Sequence, residues 1–140
     1  MSRLFAPAVL SAAALSGCAS DLSGEWVGSC DFQDARYGYT SAITVNVADG
    51  EGATLEGEVA VDMYDGTAFI GEMDGDRADS SVELRSPLRV AETAATDSTV
   101  AFDLTLTGRL EGEDTVLVGD CTFSYPEQAG GLRGELRLER

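Results

Sequence analysis

The sequence predicts an all-β fold, a small antiparallel up-and-down β-barrel of about eight strands. Three observations carry that expectation. Apolar and polar residues alternate in short runs, short Gly-bearing turns separate the runs, and glycine recurs in register with the large apolar residues. From position 18 onward no run follows a helical period.

The clearest run is Val100 to Leu110, where Val100, Phe102, Leu104, Leu106, Gly108 and Leu110 alternate with small or polar residues. Successive side chains of a strand point to opposite faces, so such a run buries one face and wets the other. Near the C-terminus Leu132, Gly134, Leu136 and Leu138 alternate likewise with Arg133, Glu135, Arg137 and Glu139. Runs of this kind place strands near 23–32, 39–48, 53–63, 67–73, 81–90, 99–110, 114–125 and 131–139. Asp49-Gly50-Glu51-Gly52, Asp65-Gly66, Asp74-Gly75-Asp76 and Glu111-Gly112-Glu113 carry the chemistry of hairpin turns. Ala91 to Ser98 is the longest loop, and the short links elsewhere pair consecutive strands as a meander.

Six of these strands hold an inward glycine: Gly28 after Trp26, Gly57 after Leu55, Gly71 after Phe69, Gly108 after Leu106, Gly119 after Leu117 and Gly134 after Leu132. Glycine weakens a strand unless the backbone must bend or a neighbour must come close. Small closed barrels need such bends, and inward glycine makes room inside them. Closure also removes edges that invite aggregation. A two-sheet β-sandwich accounts for the alternation equally well; the meander and the glycines favour the barrel.

The 140 residues suffice for one domain with a real core and not for two. With 44% hydrophobic and 24% charged residues the composition is globular, not disordered. Acidic residues number 25 against 9 basic ones, all arginine, for a net charge of −16. Nucleic acid is thereby disfavoured as a partner, because phosphate affinity needs clustered Lys or Arg. The charge serves solubility or a cationic partner. It also repels anionic headgroups, so attachment to a membrane needs lipid.

The N-terminus supplies a route to lipid. Arg3 is followed by an apolar stretch, Leu4 to Leu15, too short to span a bilayer. It ends in Leu15-Ser16-Gly17-Cys18, which resembles the lipobox of bacterial lipoprotein precursors. That resemblance implies export, cleavage before Cys18 and acylation of the Cys18 sulfur, with two or three chains anchoring stably. Ala19 in place of Asp implies sorting to the outer membrane, on its periplasmic face or at the cell surface. Residues 1–17 are then a signal peptide, 18–22 a lipidated tether and 23–140 the barrel.

With Cys18 lipidated, Cys30 and Cys121 remain as an even pair in an oxidising compartment. A disulfide between them closes a loop of about 90 residues and is worth roughly 2–4 kcal/mol. Two buried thiols or a metal pair stay open as alternatives, although no His is present to complete a zinc site.

Gly24-Glu25-Trp26 on the first strand is similar to the start of lipocalins and of avidin-like proteins. The resemblance implies an up-and-down barrel with the Trp packed at its closed end. In many lipocalins a late-strand Arg covers that Trp. Arg133, Arg137 and Arg140 are the candidates here, and the alternation points the first two outward. Avidin-like proteins line their biotin site with several Trp residues, whereas Trp26 is the only one in this chain.

Absences bound the chemistry. Without His or Lys, and with no free Cys expected, Ser–His, Cys–His, Ser–Lys and Schiff-base schemes each lack a member. A carboxylate pair for glycoside cleavage is the one enzymatic scheme left, and the expectation is a non-catalytic protein. Asp74-Gly75-Asp76-Arg77-Ala78-Asp79 faintly resembles a calcium loop. Ala78 and Asp79 depart from its fifth and sixth positions, so neither metal nor cofactor is expected, though Asp62, Asp65 and Glu72 lie near in sequence. Trp26, Phe32, Phe69, Phe102, Phe123 and Tyr125 share the inward parity. They form a filled core or, in the alternative, a ligand site made by Trp26, Phe69, Phe102, Phe123 and Tyr125. The expected function is a membrane-anchored binding or structural module of the envelope, with a cationic protein as partner. A carrier of a small apolar ligand is the alternative, and a carboxylate hydrolase ranks third.

Overall fold

A computed structural model describes residues 20–33, 38–127 and 130–140; the expected signal peptide and Cys18 lie outside the described residues. Eight antiparallel strands form a closed barrel in which every strand pairs with its sequence neighbours and the last pairs with the first. They are β1 (Gly24–Gln33), β2 (Gly38–Asp49), β3 (Thr54–Asp62), β4 (Ala68–Ala78), β5 (Ser81–Val90), β6 (Phe102–Glu111), β7 (Val116–Ser124) and β8 (Gly131–Glu139). The β1–β8 ladder, with Gly28 opposite Leu138 and Cys30 opposite Leu136, makes the closure and excludes the sandwich.

The alternation sorts side chains as expected. Trp26, Cys30 and Phe32 of β1 are buried, as are Leu104, Leu106 and Leu110 of β6, while their neighbours face outward. Ser41 and Ser86 are the buried polar side chains of the described core. The Ser41 hydroxyl finds the Met63 sulfur at 3.2 Å. Loop 91–101 carries one 3-10 turn, Ala91–Thr93.

One expected turn is wrong. Asp74-Gly75-Asp76 is strand, not hairpin: β4 continues to Ala78, and the chain reverses at Asp79-Ser80. The physical reason is visible across the ladder. Asp74 and Asp76 project outward to Arg85 of β5, while Gly75 is buried where a Cβ would strike the Glu83 carbonyl. The reversal itself has Asp79 in the left-handed region at φ 55°, a turn made without glycine. The faint calcium loop therefore does not exist as a loop.

The inward glycines make room for backbone rather than for rings. A Cβ on Gly28, Gly57 or Gly119 would fall on the carbonyl oxygen of Arg137, Asn46 or Thr107 in the adjoining strand. Pro87 has the opposite effect. Its residue pair with Glu72 is missing from the β4–β5 ladder, which lapses between Ile70–Arg89 and Asp74–Arg85, while Pro87 stays paired with Asp103 of β6. A residue without an N–H forfeits one rung.

Cys30 and Cys121 form the expected disulfide, with their Cα atoms 6.1 Å apart. The two cysteines lie on β1 and β7, the strands on either side of β8. Next-nearest strands of a flat sheet stand about 9–10 Å apart. The sheet is therefore folded sharply about β8 where the bridge crosses it, at Gly134, where an added Cβ would lie 3.1 Å from Cys30 Sγ.

Candidate functional site

The barrel has two chemically different ends. Strand direction puts residues 20–23, the turns 50–53, 79–80 and 112–115, and the C-terminus at one end. The opposite end receives the β3–β4, β5–β6 and β7–β8 connections.

At the first end the chain closes its own barrel. Leu22 is buried, its N–H donating to Gly50 O at 3.0 Å, and its carbonyl accepts Trp26 Nε1–H at 2.9 Å. Ser23 Oγ accepts the Gly50 N–H at 3.0 Å. Arg77 continues the inward parity of Phe69, Gly71, Met73 and Gly75, and its side chain is only 8% exposed. Its guanidinium donates to the Ser20 carbonyl, to Asp79 O at 3.2 Å and to Asp114 Oδ2 at 3.4 Å. Ser20 Oγ donates to the same Asp114 oxygen at 2.5 Å. Arg140 lies over the Trp26 ring, 4.8 Å from its centroid, and donates to Asp21 O at 2.7 Å. Arg133 and Arg137 are exposed, as their parity required.

Around Trp26 the described interior is packed with buried apolar side chains. The interior cavity beside Trp26, Leu55, Leu84 and Leu138 measures about 20 Å³ and is lined by apolar side chains alone. Roughly 10–15 Å³ of such space is what one water molecule needs. A space of that size holds no lipophilic ligand.

The remaining candidate ligand residues gather at the opposite end, away from Trp26. Phe102 is their hub, with ring centroids 5.3 Å from Phe69, 5.8 Å from Phe123 and 5.4 Å from Tyr125. Phe32 extends the cluster from Phe123 at 5.4 Å to Tyr39 at 5.1 Å, and Tyr39 meets Tyr64 at 4.1 Å. The packing is mostly tilted or edge-to-face, the favoured geometry of aromatic pairs. Phe32, Phe69 and Phe123 are buried, whereas Tyr64 is 64% and Tyr125 41% exposed. The structure thus joins four of the five expected residues and separates the fifth. Sequence reading missed Tyr39 and Tyr64. Tyr39 faces Phe32 across the first hairpin, a signal present in the register; Tyr64 sits in a turn, where parity says nothing.

The outer wall concentrates negative charge in a way composition does not disclose. Glu58 is directly opposite Glu72, and Glu56 is opposite Asp74. Glu135 stands between Asp31 and Asp120, a row of three carboxylates across β1, β8 and β7. A surface groove of about 210 Å³ runs along that row. Arg85 relieves one stretch, bonding Asp76 at 2.8 Å, Glu83 at 2.7 Å and Asp74 at 3.3 Å, and the hydrogen bonds it donates to Asp76 and Glu83 push its pKa up. Asp120 is 3.7 Å from Arg133. Among the described residues no group of three or more His, Cys, Asp or Glu is placed to hold a metal ion.

The class is that of small up-and-down β-barrels with a disulfide between the strands flanking the last one. Comparison with known protein families, with curated proteins and with solved structures finds no match.

Proposed function

We propose that this chain is an exported lipoprotein, anchored through Cys18 to the outer membrane, whose barrel is a non-catalytic module binding a cationic protein. The observation that carries the binding reading is the pairing of carboxylates across the outer wall. Like charges directly opposite one another on a sheet destabilise it. Arg85 and Arg133 offset the charge of Asp74 and Asp120, but Glu58–Glu72 and Asp31–Glu135 cost the free protein stability, a cost that a cationic partner removes. Opposite charge also steers encounter. Inhibition of a cationic enzyme is one concrete form of such a role. The lipobox Leu15-Ser16-Gly17-Cys18 supports the anchoring, and Ala19 supports the outer membrane, on either face.

At the Trp26 end a cavity of about 20 Å³ gives the apolar-carrier reading no support, since a carrier needs an interior matched to its cargo. The test is binding of a panel of basic proteins to the purified barrel at about 20 mM and about 300 mM salt. Screening across that range, where the Debye length shrinks to well under 10 Å, weakens an electrostatic complex steeply. Binding that ignores salt, or that survives reversal of Glu58 and Glu135 to Arg, overturns the reading.

A further inference from the structure

The covalent anchor and the closed end of the barrel are separated by almost no free chain. Ser20 is held through its carbonyl by Arg77 and through its hydroxyl by Asp114, and Leu22 is buried two residues later. Only Ala19 stands between this latch and Cys18. Two residues of extended chain span about 7 Å, close to the 5–7 Å depth of one headgroup layer, roughly half the difference between full bilayer and hydrocarbon thickness.

From that distance we infer that the barrel stands on the lipid surface on its Trp26 end, with the aromatic end pointing away. The inference rests on lipidation at Cys18, as proposed above. The turns brought to the headgroups, 50–53, 79–80 and 112–115, contain Glu51, Asp79, Glu113 and Asp114 with glycine and small residues. They offer no large apolar side chain to insert, so the barrel rests on the surface and does not enter it. Carboxylates face outward on the wall and in these turns alike and anionic lipid repels both, so the short tether and not charge sets the orientation. A β3-length strand of 9 residues covers roughly 30 Å, or about 23 Å of height at a 40° tilt. That height carries exposed Tyr64 and Tyr125 clear of the headgroups.

The experiment uses the full-length chain produced in a lipidating bacterial host and placed in phosphatidylcholine vesicles. Intact mass, compared with Cys18→Ala, reports acylation. Glu51→Cys and Tyr64→Cys, both at exposed turn positions, carry a fluorophore read against a headgroup-attached quencher. Quenching several-fold stronger at position 51 than at position 64 is expected, and ten flexible residues inserted between Ala19 and Ser20 should erase the difference. Equal or reversed quenching on acylated protein overturns the orientation while leaving anchoring intact. A difference that survives the insertion overturns the short tether as its cause. Absence of acyl mass removes the anchoring reading beneath both.

Discussion

The Arg140 guanidinium sits over the face of Trp26, 4.8 Å from the ring centroid, and so joins the last residue of the chain to the first strand. The contact is reinforced on both sides. Arg140 N–H donates to Thr115 O at 3.1 Å, and its Nη1 donates to Asp21 O at 2.7 Å. A cation over an indole is worth about 0.5–1 kcal/mol when exposed, and one hydrogen bond about as much. Arg140→Ala should therefore lower unfolding stability by roughly 1–2 kcal/mol in a urea titration. A double-mutant cycle with Trp26→Phe should show coupling of about half a kcal/mol or more. An unchanged midpoint for Arg140→Ala would mean that the stacked geometry holds nothing in solution.

Nearly all of the barrel was legible because alternation is a direct consequence of burying one face of each strand. Eight runs read from period two became eight strands, paired in sequence order. Three features escaped, each for a stated reason. Asp-Gly-Asp at 74–76 has turn chemistry, yet its parity was intact, and parity won because Arg85 waits across the ladder for both aspartates. Arg77 had no role beyond the expected acidic turn around it, since nothing in the local pattern says that an inward Arg will find Ser20 from 57 residues away. The separation of Trp26 from the other aromatics depends on which end of its strand each occupies, information that shared parity does not contain.

The disulfide and Gly134 form one device, and each should depend on the other. Reduction, or Cys30→Ala with Cys121→Ala, should cost roughly 2–4 kcal/mol by the usual loop argument. Gly134→Ala should do comparable damage with both cysteines present, because its methyl would meet the Asp31 backbone and come within 3.1 Å of Cys30 Sγ. Thiol titration of the folded Gly134→Ala protein is the discriminating readout, with measurable free thiol expected where the parent has none. A fully oxidised variant of parent stability would show that β8 shifts at little cost.

Acid stability follows from three turns. Hydrogen bonds from Ser23, side chain first and then backbone, hold the Asp21 carboxyl below its ordinary value of 3.8. Asp65 is lowered by the Thr67 N–H and then its hydroxyl, and Asp97 by the Thr99 hydroxyl and then its N–H. A carboxyl whose pKa is lower folded than unfolded stabilises the fold at every pH above the unfolded value of about 3.9. That contribution fades as pH falls through the folded values. The chain has no His, the side chain that ordinarily titrates between pH 5 and 8. Urea midpoints should accordingly show no fall between pH 8 and about 4.5 and decline only below about 4. Side-chain carboxyl NMR titration should place these three aspartates below 3.8. A decline already under way at pH 6 contradicts the assignment.

The opposed carboxylates make stability and binding pull in opposite directions. Glu72 faces Glu58 directly across β3 and β4, with both side chains exposed. Replacing one member by a cation turns a repulsive pair into an attractive one, and cross-strand charge pairs are worth about 0.2–1 kcal/mol each way. Glu72→Arg should thus raise the melting temperature at low salt. The gain should shrink as the Debye length contracts from about 10 Å at 0.1 M to about 3 Å at 1 M. The parent protein should gain stability over the same salt range, because screening does for it what the substitution does for the variant. Against a cationic partner the same substitution should lower affinity several-fold, mainly through slower association. Surface charge serving solubility alone predicts the stability gain without the loss of binding. A substitution that destabilises the barrel would instead show that Glu58 and Glu72 sit apart in solution and that their register carries no electrostatic cost.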